Sequence, residues 1–318
     1  MDYNRQLRLG IFWPRRRLGR VDPPLSVAVV IAIGIGLLMM PGTSSAAINS
    51  DYPLVQTIDT TAAVVDSAAV SVTGPNGSCS GVAIAPDLIA TAGHCVYDNV
   101  GAPSEPNWRW TKPANIAPGA NLGSGQTRAP YPFGTFCARR LIANGAWVQF
   151  HGDEHYDYGA IEIGTLSKTR PITCSGQVRL GKLAKIASLG PARDAQVQAI
   201  GYPGNPPSPF LAGEQLYSTC PVLRVGEFRF SFACSILKGM SGGPVFLSAR
   251  AGSNTWKVAG ITTQEVKSVF GNSALAISLT REGVKEHYQA WIKGDWKFDH
   301  TRSCDTVESS LKKDGRCS

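Results

Sequence analysis

From Ala69 onward the chain alternates short apolar runs with turn-forming residues. Ala69–Thr73, Gly81–Ala85 and Leu88–Thr91 read as strands, divided by Gly74-Pro75-Asn76-Gly77 and by Pro86-Asp87. Residues 101–134 are rich in Pro, Gly and Asn and predict a long surface loop. Arg139–Ala143, Ala146–Phe150 and Tyr158–Ile163 continue the strand pattern. After Pro171 it resumes in Leu183–Ser188, Gln196–Ile200, Gln215–Cys220, Phe228–Cys234, Pro244–Leu247, Trp256–Thr263 and Ala274–Ser278. Many short strands separated by turns point to an all-β barrel or sandwich architecture, not to alternating βα units. One segment breaks the pattern. Glu282–Ile292 puts Val284, Tyr288, Trp291 and Ile292 on one helical face, which predicts a carboxy-terminal helix docked on a barrel.

The first 47 residues have a different character. Six arginines precede Leu25–Met40, a stretch without charge, and Pro41-Gly42-Thr43-Ser44-Ser45-Ala46-Ala47 follows. Basic, apolar, then small is the order of an export signal, with cleavage expected near Ala46 or Ala47. Sixteen residues make a helix of about 24 Å, short of a hydrocarbon core of about 30 Å, so retention as an uncleaved membrane anchor is the weaker alternative. The leader's six Arg and two Asp account for half of the net charge of +8. What remains is too small for 271 residues to suggest a nucleic-acid partner. Residues 48–70 read as a propeptide or as the first strand of the mature domain.

The rest of the chain is apolar enough to fold, with 43% hydrophobic residues. All eight cysteines lie beyond the leader, an even set that favours disulfides in an extracytoplasmic, secreted or periplasmic protein. No C-x-x-C pair is present, which argues against a zinc ribbon or a dithiol redox site.

Chemistry concentrates at Lys238-Gly239-Met240-Ser241-Gly242-Gly243-Pro244. Glycines beside Ser241 leave its hydroxyl uncrowded and let backbone N–H groups converge, as an acyl-transfer oxyanion requires. The same residues satisfy Gly-x-Ser-x-Gly, the nucleophile elbow of α/β-hydrolase esterases. That fold needs its acid and histidine after the serine and strand–helix alternation around it; downstream only His287, in the expected helix, and His300, in the tail, remain. His151-Gly152-Asp153-Glu154-His155 has a zinc-peptidase spacing, but it works only on a helix, and Gly152 after an apolar run predicts a loop. No metal or organic cofactor is expected.

Three segments in one order resemble the trypsin/chymotrypsin-type serine peptidases. Cys79-Ser80-Gly81-Val82-Ala83-Ile84-Ala85-Pro86-Asp87-Leu88-Ile89-Ala90-Thr91-Ala92-Gly93-His94-Cys95 is similar to that family's histidine segment. Asp157-Tyr158-Gly159-Ala160-Ile161 resembles its aspartate segment with one glycine inserted, and Ser241 sits in its Gly-x-Ser-Gly-Gly-Pro. Ala199-Ile200-Gly201-Tyr202-Pro203-Gly204 and the pair Cys220 and Cys234 look like the bacterial glutamyl-endopeptidase branch. The resemblance covers about residues 70–295. It implies two six-stranded antiparallel β-barrels, one over residues 71–170 and one over 171–298 with the helix, and a cysteine-containing tail at 299–318. It further implies a Ser241–His94–Asp157 triad, with Asp153 as the neighbouring alternative acid, and an oxyanion hole at the N–H groups of Gly239 and Ser241. Cys79 is expected to join Cys95 and Cys220 to join Cys234. The pairs Cys137–Cys174 and Cys304–Cys317 are one of the connectivities left open.

Departures bear on specificity. Met240 stands where trypsin has an activation-linked aspartate, so that switch is not expected. The histidine that reads glutamate in the resembled branch follows the Gly-Ile after the serine strand, yet here Gly260-Ile261 precedes Thr262-Thr263. Ser235 falls near the base of the implied primary pocket and is uncharged. Thr262, Thr263 and Gln264 are placed to pair with an extended substrate, and Glu265 is either a pocket residue or part of a solvated loop. The expectation is a monomeric serine endopeptidase acting on protein or peptide substrates. A catalytically silent relative that uses the cleft for protein binding is the alternative.

Overall fold

Strand periodicity sends successive side chains to opposite faces, and in most strands here both faces are buried. The reason lies in how two barrels share the residues. Val70, Val72, Ala83, Ile89, Ile161 and Ile163 fill the interior of the first barrel. Their sequence neighbours Ala69, Val82, Ile84, Ala90 and Ala160 instead join a core that includes Ile200, Phe246, Ile261 and Ile277 of the second. Val197, Ala199, Val245, Ala274 and Ala276 in turn fill the second interior. The computed structural model describes residues 51–303 except 58–63, 76, 102–103, 123–128, 167–173, 249–255, 269–270 and 297–298. The leader, its cleavage region, Cys304 and Cys317 lie outside the described residues.

The first barrel comprises β1 (Ala69–Gly74), β2 (Gly77–Ala85), β3 (Leu88–Thr91), β4 (Asn115–Pro118), β5 (Cys137–Ala143) and β6 (Gly159–Leu166). They pair antiparallel in the order β5-β6-β3-β2-β1-β4. The sheet's two ends meet where Ile116 and the residue before β5, Phe136, exchange both backbone hydrogen bonds. The second barrel comprises β7 (Gln196–Gly201), β8 (Leu216–Val225), β9 (Arg229–Phe232), β10 (Pro244–Ser248), β11 (Trp256–Ser268) and β12 (Gly271–Ser278). Its order is β8-β7-β10-β11-β12-β9, and β9 pairs back with β8 to close a six-stranded barrel. Val55–Gln56 adds a short strand to β8, and His300–Ser303 adds one to β5.

Several segments differ from the sequence expectation. Ala146–Phe150 is not a strand. After the short helix α1 (Val64–Ala68), Gly145–Gln149 forms a second helix, α2. The Asn144 side chain accepts from the N–H groups of Ala146 and Trp147, and this cap outweighs the strand propensity of the apolar run. The proline-rich stretch 101–134 contains the barrel strand β4 and a small ribbon in which Trp108–Trp110 pairs with Tyr97–Asn99. Leu183–Ser188 is an inter-barrel connection, bonded through Ala184 N–H to Ala83 of β2 and through Ala187 N–H to Val258 of β11.

Helix α3 (Glu282–Ile292) buries Val284, Tyr288 and Trp291, whereas Ile292 at its last turn is 44% exposed. Although it follows the second barrel, α3 is bonded to the first: the Tyr288 hydroxyl donates to the carbonyl of Gly159, at the head of β6. Among the described residues, no helix is long and apolar enough to cross a membrane.

Candidate active site

One wall of the site is built where β3 ends. A single 3-10 turn, Gly93–Cys95, carries His94 and is tied to β2 by the disulfide Cys79–Cys95. Asp157 leaves a second 3-10 turn, Glu154–Tyr156, just before β6, and is 5% exposed. Gly93 is what permits their approach, because a Cβ there would lie 3.0 Å from Asp157 Oδ1 and 3.0 Å from the Trp147 ring. The His94 N–H donates to Asp157 Oδ1 at 2.8 Å, and His94 Nδ1 lies 2.9 Å from Asp157 Oδ2. A proton on Nδ1 leaves the Nε2 lone pair free to accept a proton. Burial opposes charge on the His94 ring, but attraction to Asp157, the hydrogen bond to it and the nearby Asp98 outweigh that and hold the imidazole pKa above its ordinary value. Burial in turn raises the Asp98 carboxyl, with the charge of His94 working against the rise.

The other wall comes from the second barrel. Gly239 and Gly242 adopt φ of +100° and +81°, values that favour glycine, and bracket Ser241 in a tight turn. The turn is held from both barrels. Ser80 N–H of β2 donates to the Ser241 carbonyl at 2.7 Å, and Gly242 N–H donates to Thr262 O of β11 at 2.7 Å. The buried Ser80 hydroxyl donates to the Gly239 carbonyl at 2.8 Å and accepts from Tyr202 N–H at 2.9 Å. Ser80 is therefore the pin between the barrels at this point. It lies in the histidine segment, yet nothing in its local sequence signals that role.

Ser241 and His94 line one cleft of about 500 Å³. The Ser241 hydroxyl donates to the Thr263 carbonyl at 3.4 Å, and not to the imidazole. Neither Gly239 N–H nor Ser241 N–H donates to another group among the described residues. Two donors are thus available beside the hydroxyl.

The remaining expected residues are placed as follows. Asp153 pairs with His155, 2.9 Å from its Nδ1, and does not meet His94. His151 sits at a positive-φ turn and packs on Trp108, while His155 lies in the 3-10 turn, so the zinc-peptidase spacing does not share a helix face. The candidate ligand group Cys79, His94 and Cys95 has both sulfurs in one disulfide. Ser235 is fully buried, with its N–H on the Ser218 hydroxyl at 3.3 Å. Thr262 spends both backbone groups on Gly242 and Gly243. Past Ile261, β11 pairs with β12 on one side and, among the described residues, has no strand on the other, so Thr263 and Gln264 begin an open edge. The side chain of Glu265 is outside the described residues. Among the described residues, Cys137–Cys174 and Cys220–Cys234 also form disulfides.

This pair of barrels with the site between them defines the chymotrypsin-like class, and comparison with known proteins agrees. The trypsin-like peptidase domain matches residues 79–253, and the chain belongs to that family. It is 28% identical over 187 residues to the glutamyl endopeptidase of Bacillus licheniformis, a match that covers 59% of this chain and 51% of the relative. It is 33% identical over 98 residues to a protein of Bacillus subtilis named extracellular metalloprotease, covering 30% of this chain and 27% of that one. The chain thus spans about half the length, or less, of the curated relatives it matches. A solved structure of a Glu endopeptidase in complex with MPD superposes with TM-score 0.59 at 16% identity, covering 78% of this chain and 99% of that one. The thermostable serine protease AL20 from an extremophilic microorganism gives TM-score 0.51 at 21% identity, covering 73% and 100%. These two show the shared fold.

Proposed function

We propose that the chain is an exported serine endopeptidase that hydrolyses peptide bonds through an acyl-enzyme on Ser241. The observation that carries this is the His94–Asp157 pair on one wall of a cleft whose other wall presents Ser241 beside two unengaged N–H groups. A serine hydroxyl is a weak nucleophile at neutral pH, and His94 Nε2 would take its proton during attack. Asp157 keeps the proton on Nδ1 and stabilises the imidazolium that forms, after which His94 returns the proton to the leaving amine. The Gly239 and Ser241 N–H groups would hold the oxyanion. The bond from Ser241 to Thr263 O is the one observation that favours a silent relative. Catalytic hydrogen bonds in substrate-free sites are often unmade and form only when substrate enters, so that contact does not weigh heavily.

The acyl half of a substrate would lie along Thr263 and Gln264 as an added strand, with Ser235 beneath its primary side chain. A preference for glutamate is not part of the proposal, because Thr262 follows Gly260-Ile261. Export through the leader fits the disulfides Cys79–Cys95, Cys137–Cys174 and Cys220–Cys234. Digestion of a mixed peptide library by the purified protein tests the activity. Discrete cleavage products that vanish in Ser241→Ala are expected; cleavage that persists in that variant removes Ser241 from the mechanism.

A further inference from the structure

The cleft does not extend equally to both sides of Ser241. Besides His94 and Ser241 it is lined by the Cys79–Cys95 bridge, Gly74, Asp98 and Lys112, whereas Thr262, Thr263 and Gln264 take no part in lining it. That asymmetry identifies the half of a substrate it serves. In the proposed mode the acyl half would run along the β11 edge, on the side to which the Ser241 hydroxyl is turned. The leaving amine must sit at the imidazole that protonates it, and the chain beyond the amine therefore continues into the cleft.

The charges in this cleft are unequal too. Arg109, Lys112 and Lys238 line it against a single carboxylate, Asp98. All three cations are exposed, and none forms an ion pair among the described residues. They come from two separate parts of the chain: Arg109 and Lys112 from the Trp108–Trp110 strand and the residues just after it, and Lys238 from the turn that carries Ser241. Asp98 lies opposite Arg109 in the ribbon register, and one carboxylate against three cations leaves the lining with an excess of positive charge.

We infer that this cleft selects substrates with acidic side chains among the first residues after the scissile bond. The inference rests on the peptidase reading above and adds to it a specificity set on the leaving-group side. Separate cations on the rim of one concave site favour a carboxylate wherever it settles and repel lysine or arginine there. Each contact is solvent-exposed and contributes modestly, so the preference is graded and falls with salt.

The test uses internally quenched peptides that share one acyl half, taken from the library products, and carry Asp, Ala or Lys at the first three positions after the bond. At low ionic strength kcat/KM should rank Asp above Ala above Lys, with Asp over Lys on the order of tenfold. The ratio should shrink as salt is raised, and should fall to about one or invert in R109E/K112E, which leaves the proposed triad residues unchanged. Equal kcat/KM for the three peptides, or a ratio that R109E/K112E leaves unchanged, overturns the inference while the peptidase reading stands. Failure to cleave any peptide, together with no labelling of Ser241 by a fluorophosphonate, overturns both.

Discussion

At the residue scale the site depends on how one imidazole is held. Asp157 fixes the ring through two hydrogen bonds, one to the backbone N–H and one to Nδ1. Asp98 adds only its charge, which favours the protonated ring. A general base must be neutral to accept a proton, so activity should rise as pH climbs through the His94 pKa. Asp98→Asn removes one of the groups that raise that pKa. The acidic limb of the kcat/KM profile should therefore move to lower pH in this variant, with the plateau retained. A limb that stays in place would mean that Asp98 does not act on His94. The place of Asp157 just before β6 was legible in the sequence, because an apolar run follows it directly. Asp153, the alternative acid, is not followed directly by that run, and its carboxylate pairs with His155.

At the scale of elements, the turn bearing Ser241 is shaped by its glycines and anchored by Ser80. A Cβ at Gly242 would lie 2.1 Å from Thr91 Oγ1 and 2.2 Å from the Ser80 carbonyl, so no other residue fits there without displacing β2 or β3. In Ser80→Ala the buried Tyr202 N–H and the Gly239 carbonyl both lose a partner. An unpaired buried donor costs about 1–3 kcal/mol, and a fall in unfolding free energy of that size is expected from denaturant titration. Turnover should drop as well, since the Gly239–Met240 peptide, between the two proposed oxyanion donors, is no longer held by Ser80. An unchanged titration midpoint would show that the hydroxyl bridge is dispensable. Local pattern predicted most strands, but it failed where distant or capping groups decide. Ala-Trp-Val-Gln-Phe reads as a strand until Asn144 turns its side chain onto the following N–H groups. β4 is short and bounded by Pro113 and Pro118, so composition hid it, and only pairing with β1 makes it a strand. Leu183–Ser188 is apolar because it is sandwiched between barrels, not because it belongs to a sheet.

At the scale of the molecule, the two barrels could be inferred only through family resemblance, because periodicity alone fits a sandwich equally well. What the pattern did not reveal is how the halves are joined. Side chains one position apart serve different cores, and α3 returns from the second barrel to hold Gly159 beside Asp157. The three disulfides among the described residues reinforce this arrangement, and Cys79–Cys95, with a separation of 16 residues, sits within the site itself. A loop of that length contributes roughly 3 kcal/mol. Reductant should therefore lower the melting temperature and inactivate the protein. Full activity and an unchanged melting temperature in reductant would count against a structural role for the bridges. The central claim is narrower: a base from one barrel activates a hydroxyl from the other. Mass spectrometry after treatment with a fluorophosphonate measures this most directly. The account predicts one adduct, mapped to Ser241, that forms at least about a hundredfold more slowly in His94→Ala. An adduct on another residue, or equal labelling rates with and without the imidazole, would contradict it.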